Sequence, residues 1–326
     1  MIYDLIIIWT GSAGYPAGMY ASRYNIKNLI IWEMLGWALA TSHKVDNYPG
    51  TVSAPGKEIM EKMREHALIS GSEILNETVT SLEKIWNLFQ IKTNFWKEFS
   101  SRYIILATGS WHKHLWVLWE EQFLWKWVSY CATCDGMFFR GKNVVVVWGW
   151  NTALTESLYL ADICNKVFIV HRKDTFRAES SWIEQAKKRK NIEFLFHQEI
   201  QEISWWMSVE KVQLVSGKIL HVQWVFVAIG AHPNTNLTDV LNIKKDEEWY
   251  ILVDKRQETS LCWLYAAWDV TTNSNKFKQT IMSAAEWCLS ANSVHEDIIK
   301  NYVPLENAVS DIFWKVSQTF FSIIGK

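Results

Sequence analysis

The chain has 326 residues, a formal net charge of -1 and five cysteines. This length is enough for two domains with large cores. The balanced charge argues against a nucleic-acid partner, and no apolar run is long enough to cross a membrane. The sequence begins at once with a strand pattern, and its cysteines do not form a secreted disulfide framework. We therefore expect a cytoplasmic protein that uses neither nucleic acid nor membrane.

The first predicted elements are a buried parallel strand, Leu5-Ile6-Ile7-Ile8, the loop Gly11-Ser12-Ala13-Gly14 and a helix over 17–24. In a dinucleotide-binding unit the loop glycine lets the backbone approach a pyrophosphate. A second strand, 29–31, precedes Glu33, which follows Gly14 by about 20 residues and is placed to bind a ribose hydroxyl. Any strand–loop–helix could give the glycine pattern alone, but the acid at this offset favours a nucleotide site.

The next stretch predicts an amphipathic helix over 57–70 and strands over 74–105. The last strand runs into Ala107-Thr108-Gly109, which either returns the chain to the nucleotide face or simply ends a strand.

A Cys-x-x-Cys pair followed by an acid, Cys131-Ala132-Thr133-Cys134-Asp135, lies near the middle of the chain. Two thiols at this spacing can form a redox-active disulfide, and Asp135 places a proton carrier beside them. The alternative is half of a zinc site, which needs four ligands. No second Cys-x-x-Cys exists, so the sequence favours redox chemistry.

A second strand–loop–helix–strand unit follows, with strands at 144–147 and 167–170 and a helix over 154–162. Its loop contains Gly149, Asn151 and Thr152. No acid follows the second strand; the chain instead reads His171-Arg172-Lys173, with Arg177 a turn later. Cations in this register suit a nucleotide with a 2′-phosphate, hence NADP, although a solvated basic patch is the alternative.

The last third predicts strands at 192–196, 210–215 and 219–229, then a strand at 264–267 that ends before Asp269. Asp269 could bind a cofactor's polyol or phosphate edge, or could cap a helix. A helix is predicted over 281–294. In the tail, 301–326, an apolar stripe at helical spacing most simply packs on the protein itself, and the tail is a poor lipid anchor.

Together these motifs resemble those of the low-molecular-weight thioredoxin reductases over nearly all of residues 1–298. The resemblance is carried by Ser129 to Gly136, by His171 to Glu179, and by Asp269-Val270 with Lys278-Gln279. It implies an α/β fold of two Rossmann-like, three-layer domains, with the NADPH domain inserted into the FAD domain, and a homodimer. The implied domains are 1–114 with 243–300 for FAD, 115–242 for NADPH and the Cys pair, and a helical tail at 301–326.

The resemblance also assigns ligand positions. It assigns FAD binding to Gly11, Ser12, Ala13, Gly14, Glu33, Asn47, Thr108, Gly109, Asp269, Lys278 and Gln279. It assigns NADPH binding to Gly149, Asn151, Thr152, His171, Arg172, Lys173 and Arg177. Lys173 replaces an arginine of the family and Ala38 a frequent glutamine.

The implied activity is that of an NADPH-dependent thioredoxin-disulfide reductase. Electrons pass from NADPH to FAD, to the Cys131–Cys134 disulfide and then to thioredoxin or a thioredoxin-like protein. Cys134 faces the flavin, Cys131 attacks the partner and Asp135 carries the proton. Rotation about hinges near 112–118 and 240–245 lets one Cys pair reach both. The alternatives are a peroxidase- or glutaredoxin-like carrier as acceptor, or a non-catalytic dimeric scaffold.

Tryptophan is abnormally frequent, with 21 residues against 14 glycines. The family pattern places glycine at fourteen of the tryptophans: Trp9, Trp32, Trp37, Trp116, Trp119, Trp125, Trp127, Trp148, Trp150, Trp224, Trp249, Trp263, Trp268 and Trp287. Some genetic codes read UGA as glycine and others read it as tryptophan. We hypothesise that the gene belongs to a glycine-reading lineage, because an indole in the nucleotide loops would block the cofactors. If the tryptophans are genuine, the scaffold alternative follows.

Overall fold

The computed structural model describes residues 1–33, 37–40, 42, 45, 47–118, 120–123, 127–147, 151–205, 209–273 and 278–300, with backbone only at 37, 38, 121, 151, 152 and 205. The helix expected over 301–326 lies outside these residues. The chain forms two compact units: Met1–Ser110 joined by the chain from Pro233 onward, and Trp111–His232. The expected division was at 114/115 and 242/243, which is four residues later at the first crossing and ten residues later at the second.

The elements up to the first crossing are β1 (Ile2–Ile8), α1 (Gly11–Arg23), β2 (Asn28–Ile31), α2 (Trp37–Ala40), α3 (Gly56–Ser70), β3 (Glu73–Leu75), β4 (Val79–Ile85), β5 (Leu88–Thr93), β6 (Glu98–Leu106) and β7 (Ser110–His112). The inserted unit contains α4 (Glu120–Phe123), β8 (Val128–Ser129), α5 (Ala132–Asp135), a 3-10 turn (Gly136–Phe139), β9 (Asn143–Val147), α6 (Asn151–Ile163), β10 (Lys166–His171), α7 (Ser180–Lys188), β11 (Ile192–Phe196), β12 (Ile200–Trp205), β13 (Val209–Leu214), β14 (Ile219–Leu220), β15 (Trp224–Val227) and β16 (Ala231–Pro233). The chain then forms a 3-10 turn (Asn236–Leu241), β17 (Leu264–Ala266), a second (Trp268–Val270) and α8 (Thr280–Lys300).

The first unit is built on a seven-stranded sheet in the order β3-β2-β1-β6-β5-β4, with β17 also paired to β6. Strands β3, β2, β1, β6 and β17 are parallel, whereas β4 and β5 form an antiparallel extension. Alternate residues of β1 enter two different cores: Leu5 and Ile7 one, Ile6 and Ile8 the other. Burial on both faces explains why this strand is a continuous apolar run.

The inserted unit repeats the arrangement with a five-stranded parallel sheet in the order β11-β10-β9-β15-β8. Val144 and Val146 of β9 enter one core and Val145 and Val147 the other. A three-stranded antiparallel sheet, β12-β13-β14, belongs to the same unit. Strands β7 and β16 pair with each other where the chain passes between the units.

The predicted fold class is confirmed. Its errors are local. The sequence did not predict α2, α4, α5, α7, β7, β8, β12 and β16, and the strand predicted over 219–229 is two strands, β14 and β15. Helices α1 and α6 begin about six and three residues earlier than the apolar periodicity indicated. Small and polar residues open both of these helices, so hydrophobic spacing alone misses their first turns. Within the described ranges, no helix combines the length and apolarity needed to cross a membrane.

Candidate active site

The Cys131–Cys134 pair forms a disulfide, with its Cα atoms 5.3 Å apart. Cys131 precedes α5 in extended conformation, and the Cys134 N–H donates to the Cys131 Sγ at 3.1 Å. Both cysteines are partly exposed, so another protein can reach the sulfurs. By contrast, Cys164 is buried, and burial raises the pKa of its thiol to about 11. The disulfide that the redox interpretation requires is therefore present.

Asp135 is connected to the disulfide through Ser129. The Ser129 hydroxyl donates to Asp135 Oδ2 at 2.5 Å and accepts the backbone N–H of Cys131 at 3.0 Å. This network fixes the Asp135 carboxyl beside the turn that carries the sulfurs, and its last hydrogen bond ends on the backbone N–H of Cys131. Ser129 lies in the motif that carried the resemblance, but its role as a connector was not predicted.

The first predicted nucleotide site lies along one edge of the seven-stranded sheet. Ile8 pairs with Ile31 and with Leu106, and Leu106 pairs with Ala266, so all four strands end at the same edge. The residues that follow these ends include Gly11, Glu33, Thr108, Gly109 and Asp269. The sequence separates them by more than 250 positions, and parallel pairing brings them together. This edge is where open α/β sheets bind their ligands.

The loop after β1 requires very small residues. Gly11 has φ of +86°, and a Cβ added to Gly14 would lie 2.2 Å from the Trp9 carbonyl oxygen. Ser12 and Ala13 are buried in the first turn of α1, where Ser12 Oγ donates to Ser283 Oγ on α8 at 3.1 Å. The helix N-terminus therefore meets the sheet edge, as the predicted pyrophosphate site requires.

Other predicted flavin residues lie in hydrogen-bonded groups. Asn47 Nδ2 donates to Gln279 Oε1 at 3.0 Å, across 232 positions of sequence. Glu33 is exposed just beyond β2 and accepts the Thr78 hydroxyl at 2.6 Å. Lys278 Nζ donates to Ser110 Oγ and to the Tyr250 hydroxyl, both at 3.1 Å. Ser110 and Tyr250 were not predicted, because nothing in their local sequence marks them.

Asp269 lies inside the 3-10 turn of residues 268–270, so it is not the helix cap that was its alternative interpretation. Burial raises the pKa of its carboxyl to about 6; the Glu286 carboxylate adds to the rise, and Lys278 opposes it. Thr108 Oγ1 donates to the Asn234 carbonyl at 2.6 Å, and Gly109 has φ of +62°. Polar groups of both chain ends thus converge on this edge.

The second predicted site lies at the corresponding edge of the five-stranded sheet. Val147 pairs with both Val170 and Val227, so β9, β10 and β15 end together. Gly149, Trp148 and Trp150 lie outside the described residues, as do the side chains of Asn151 and Thr152. The backbone of Asn151 begins α6. A cleft of about 620 Å³ opens at this edge, with Val147, Val170, Arg172 and Ile229 in its lining.

His171 differs from the three cations that follow it. Its ring is buried, packs against Phe176 and has Nε2 2.9 Å from the Thr175 carbonyl oxygen, so His171 shapes the loop from within. Arg172, Lys173 and Arg177 are exposed. Burial lowers the pKa of His171, the Thr175 carbonyl raises it, and the charges of all three cations lower it further, so all three lie near this ring. Three such cations form a receptor for a phosphate.

Two carboxyls of the inserted unit, those of the buried Glu120 and the partly buried Glu156, were not predicted. Glu120 accepts the N–H groups of Leu115 and Trp116 at 2.8 and 2.7 Å and the Tyr130 hydroxyl at 2.8 Å. It thereby attaches the segment after β7 to the residue before Cys131. Glu156 of α6 accepts the N–H of Ala132 at 3.3 Å. Both are ordinary glutamates in sequence, and only packing reveals their positions.

The donors at the first edge fit a flavin dinucleotide, but the tryptophans do not. Trp9 and Trp32 stack with ring centroids 3.9 Å apart at the ends of β1 and β2, and Trp9 has φ of +84°. The ring of Trp268 lies 3.5 Å from the place of a Gly109 Cβ. Indoles therefore fill the edge where bare backbone would face a pyrophosphate. Glycine at these positions would clear it.

Residues 3–286 match the family described as Pyridine nucleotide-disulphide oxidoreductase, and the chain belongs to that family. Its members use FAD and NADPH, as we predicted, and this chain is an NADPH- and FAD-dependent disulfide reductase.

Within the family, the resemblance to the low-molecular-weight thioredoxin reductases is confirmed. The chain is 35% identical to a thioredoxin reductase of Treponema pallidum, over 89% of this chain and 95% of that one. It is 34% identical to a bifunctional thioredoxin reductase/thioredoxin of Mycobacterium leprae, over 89% of this chain but only 64% of that longer protein. The crystal structure of thioredoxin reductase from Streptococcus pyogenes superposes with a TM-score of 0.85 at 28% identity, over 92% and 99% of the two chains.

Proposed function

We propose that this protein is a thioredoxin reductase whose acceptor is thioredoxin or a thioredoxin-like protein. The observation that carries the proposal is the partly exposed Cys131–Cys134 disulfide in a unit whose sheet edge collects three cations. The cations suit NADPH, and the exposed sulfurs suit a protein disulfide as acceptor. The similarity to thioredoxin reductases supports this choice of acceptor.

The ligand positions belong to the same proposal. Arg172, Lys173 and Arg177 hold the 2′-phosphate of NADPH, and His171 shapes the loop. Gly149 binds the pyrophosphate together with Asn151 and Thr152, whose backbone begins α6. FAD is held by the loop from Gly11 to Gly14, by Glu33, Asn47, Lys278 and Gln279, and by the strand ends at Thr108, Gly109 and Asp269. These positions are supported by their common sheet edges.

Flavin, when bound, would accept a hydride from NADPH and pass the two electrons on to the disulfide. The chain's own residues do the rest. Two electrons and one proton from solvent break the Cys131–Cys134 bond, leaving a thiolate at Cys134 and a thiol at Cys131. Cys131 then loses its proton, attacks the partner's disulfide and forms a mixed disulfide. Cys134 resolves it by attacking Cys131, and Asp135, aligned by Ser129, carries the protons that the partner's two thiols require.

We also infer a homodimer in the cytoplasm, where NADPH is available and Cys164, Cys262 and Cys288 stay reduced. The motion that presents the disulfide in turn to flavin and partner needs hinges. We place them at the two chain crossings, within 110–112 and 231–233, because these short paired strands are where the two units divide. This moves the first hinge from the predicted 112–118 to the residues at and just before its start. It also moves the second from the predicted 240–245, which includes part of a 3-10 turn of the first unit.

The active form carries glycine at the fourteen positions. Parallel expression of the printed chain and the fourteen-glycine form, followed by an absorbance spectrum, tests this directly. We expect the printed chain to be insoluble or colourless and the glycine form to be soluble and yellow. A yellow, active protein with every tryptophan in place would contradict the hypothesis.

The acceptor is tested by NADPH oxidation in the glycine form with thioredoxin, with a glutaredoxin-like carrier and with a peroxidase carrier. Turnover with thioredoxin supports the proposal. Turnover with another carrier alone would identify that carrier as the acceptor. If NADPH reduces the flavin but none of the acceptors is turned over, the thioredoxin assignment is overturned.

A further inference from the structure

Glu156 lies on α6 directly behind the redox turn. Its Oε1 accepts the N–H of Ala132, the residue joined to Cys131, at 3.3 Å. Its Oε2 is buried without a hydrogen-bond partner in the described part of the chain. A buried carboxyl oxygen that lacks a donor is costly when charged, so this group favours its protonated form. Accordingly, burial raises its pKa to about 7, and the Ala132 N–H opposes the rise.

Among the described residues, no neighbouring charged side chain contributes to the raised pKa of Glu156. Helix α6 packs on α5, the 136–139 turn, α7, β9 and β10. The titratable side chains on those elements are Asp135, Glu184, Lys187, Lys188, Lys166 and His171, and none of them is a cause of the shift. One change of charge in the reaction cycle arises beside Ala132, namely the thiolate formed when the Cys131–Cys134 disulfide is reduced.

We propose that Glu156 is a positioning residue that holds the Cys131–Cys134 turn through Ala132 and takes up a proton when the disulfide is reduced. Reduction adds two electrons to the S–S bond; one sulfur binds a proton, and the other becomes a thiolate. The new negative charge favours the neutral carboxyl, so a deprotonated Glu156 binds one further solvent proton. The inference rests on redox activity of the Cys pair, but it does not depend on thioredoxin as the acceptor.

The test is a redox titration of the Cys131–Cys134 couple against a small dithiol at several pH values, in the glycine form. Below about pH 7 Glu156 is already protonated, and above it reduction takes up one extra proton, so the potential should fall more steeply with pH. Glu156→Gln keeps an oxygen for Ala132 but cannot titrate, so it should lose the steeper segment. Glu156→Ala should lose the steeper segment of the potential and also the hydrogen bond that holds the Cys131–Cys134 turn. Asp162→Asn, which changes an exposed residue of the same helix, should alter neither of them.

An unchanged pH slope in Glu156→Gln would overturn the proposal. A Cys pair that does not titrate at all in the parent protein would instead refute the proposed function.

A second, independent inference comes from backbone conformation. Among the described residues, eleven other than glycine have positive φ, and seven of them are tryptophan: Trp9, Trp86, Trp96, Trp116, Trp249, Trp263 and Trp268, at 56° to 84°. Asparagine and histidine, which supply three of the other four, tolerate this region, but a bulky aromatic residue is strained in it. Five of the seven were expected to be glycine from the family pattern. Trp86 and Trp96 were not.

Trp86 and Trp96 lie in the two hairpin turns of the antiparallel extension. Ile85 pairs with Leu88, which leaves a two-residue loop in which only the first residue, Trp86, has positive φ. That pattern is typical of a type II′ turn, which favours glycine at its first central position.

The second turn joins β5 to β6. The Trp96 N–H donates to the Thr93 carbonyl at 3.0 Å, and Trp96 itself has φ of +62°. A type I turn followed by a left-handed residue is the three-residue hairpin loop whose last position favours glycine. Both indoles are largely exposed, at 57% for Trp86 and 89% for Trp96, so burial of the ring contributes little to either turn.

We infer that Trp86 and Trp96 are also glycine codons read as tryptophan, whereas Trp111 and Trp182 are genuine. Trp111 has ordinary strand conformation in β7 with 49% of its surface exposed, and Trp182 lies in α7 against the core of the inserted unit. Trp111 and Trp182 therefore serve as controls for Trp86 and Trp96. The assignment of Trp86 and Trp96 uses local turn geometry and does not use the family pattern. Trp111 and Trp182 are kept as tryptophan because neither the backbone nor the family pattern requires glycine there.

Peptide mass spectrometry on protein from its native cells decides the inference. We expect glycine at 86 and 96 and tryptophan at 111 and 182; tryptophan at 86 or 96 would overturn it. Urea unfolding of the fourteen-glycine form gives a second readout. Trp86→Gly and Trp96→Gly should each raise the folding equilibrium constant about two- to tenfold, because relief of strain exceeds the flexibility of glycine. Trp111→Gly and Trp182→Gly should lower it. Destabilisation by all four changes would contradict the structural argument.

Discussion

The two strand–helix–strand units have the same backbone but opposite charge at the nucleotide-binding edge. In both, four consecutive residue pairs or more join the first strand to the second in parallel, as Leu5–Ile8 with Asn28–Ile31 and Val144–Val147 with Val167–Val170. The first unit then places Glu33 beyond the second strand, and the other places Arg172 and Lys173. Architecture therefore provides the edge, and on the assignment that we propose a few side chains beyond it select the dinucleotide.

The largest difference between the units is the disulfide, so its removal should have the largest effect and should affect the function of only one unit. Cys131→Ser and Cys134→Ser should each reduce thioredoxin turnover at least about a thousandfold, because disulfide exchange needs both sulfurs. Flavin content and flavin reduction by NADPH should remain, since neither sulfur holds a cofactor. Exposed Cys262→Ser is the control and should leave turnover unchanged. Full turnover in either active-site variant would mean that electrons leave by another route.

The contrast in charge predicts which nucleotide each edge accepts. Arg172→Ala with Lys173→Ala should raise the KM for NADPH by about tenfold or more and leave NADH unaffected, because charged hydrogen bonds contribute about 1.5–3 kcal/mol each. Steady-state kinetics with both nucleotides measure this, and Lys187→Ala on α7 is the control. Equal kcat/KM for NADPH and NADH in the parent glycine form would remove the NADP assignment.

A buried carboxyl at the first edge makes the stability of the flavin-free protein depend on pH. The pKa of Asp269 is raised to about 6, above its unfolded value, so its contribution is present below about pH 4 and is lost as the pH rises through 6. Two pH units correspond to about 2–3 kcal/mol as an upper limit. Asp269→Asn should flatten the pH profile of unfolding free energy over this window. Exposed Glu65→Gln on α3 should reproduce the parent profile, and an equal flattening there would refute the assignment.

The smallest expected effect is at Glu33. Glu33→Gln keeps the size of the side chain but loses the charge-assisted hydrogen bond to a ribose hydroxyl, so flavin affinity should fall by about three- to tenfold. Flavin titration followed by fluorescence measures the change. NADPH kinetics should not move, because the other edge holds that nucleotide. A loss confined to NADPH would reverse our assignment of the two edges.

Much of this protein was determined by sequence alone. Continuous apolar runs identified β1 and β9 as strands buried on both faces, because a run such as Val144–Val147 sends alternate residues into two cores. The Cys-x-x-Cys spacing predicted the disulfide, and Glu33 against Arg172 predicted two different dinucleotides. These features are local, so their order in the chain is sufficient to identify them.

Tertiary structure alone decided what depends on distant contacts. Asn47 meets Gln279, Lys278 meets Tyr250, and Glu156 lies behind Ala132 only because parallel strands and packed helices bring separate segments together. The conformations of Trp86 and Trp96 were likewise invisible until the hairpins fixed their φ angles. A residue's identity is local information, whereas its burial, partner and backbone angle are set by the rest of the fold.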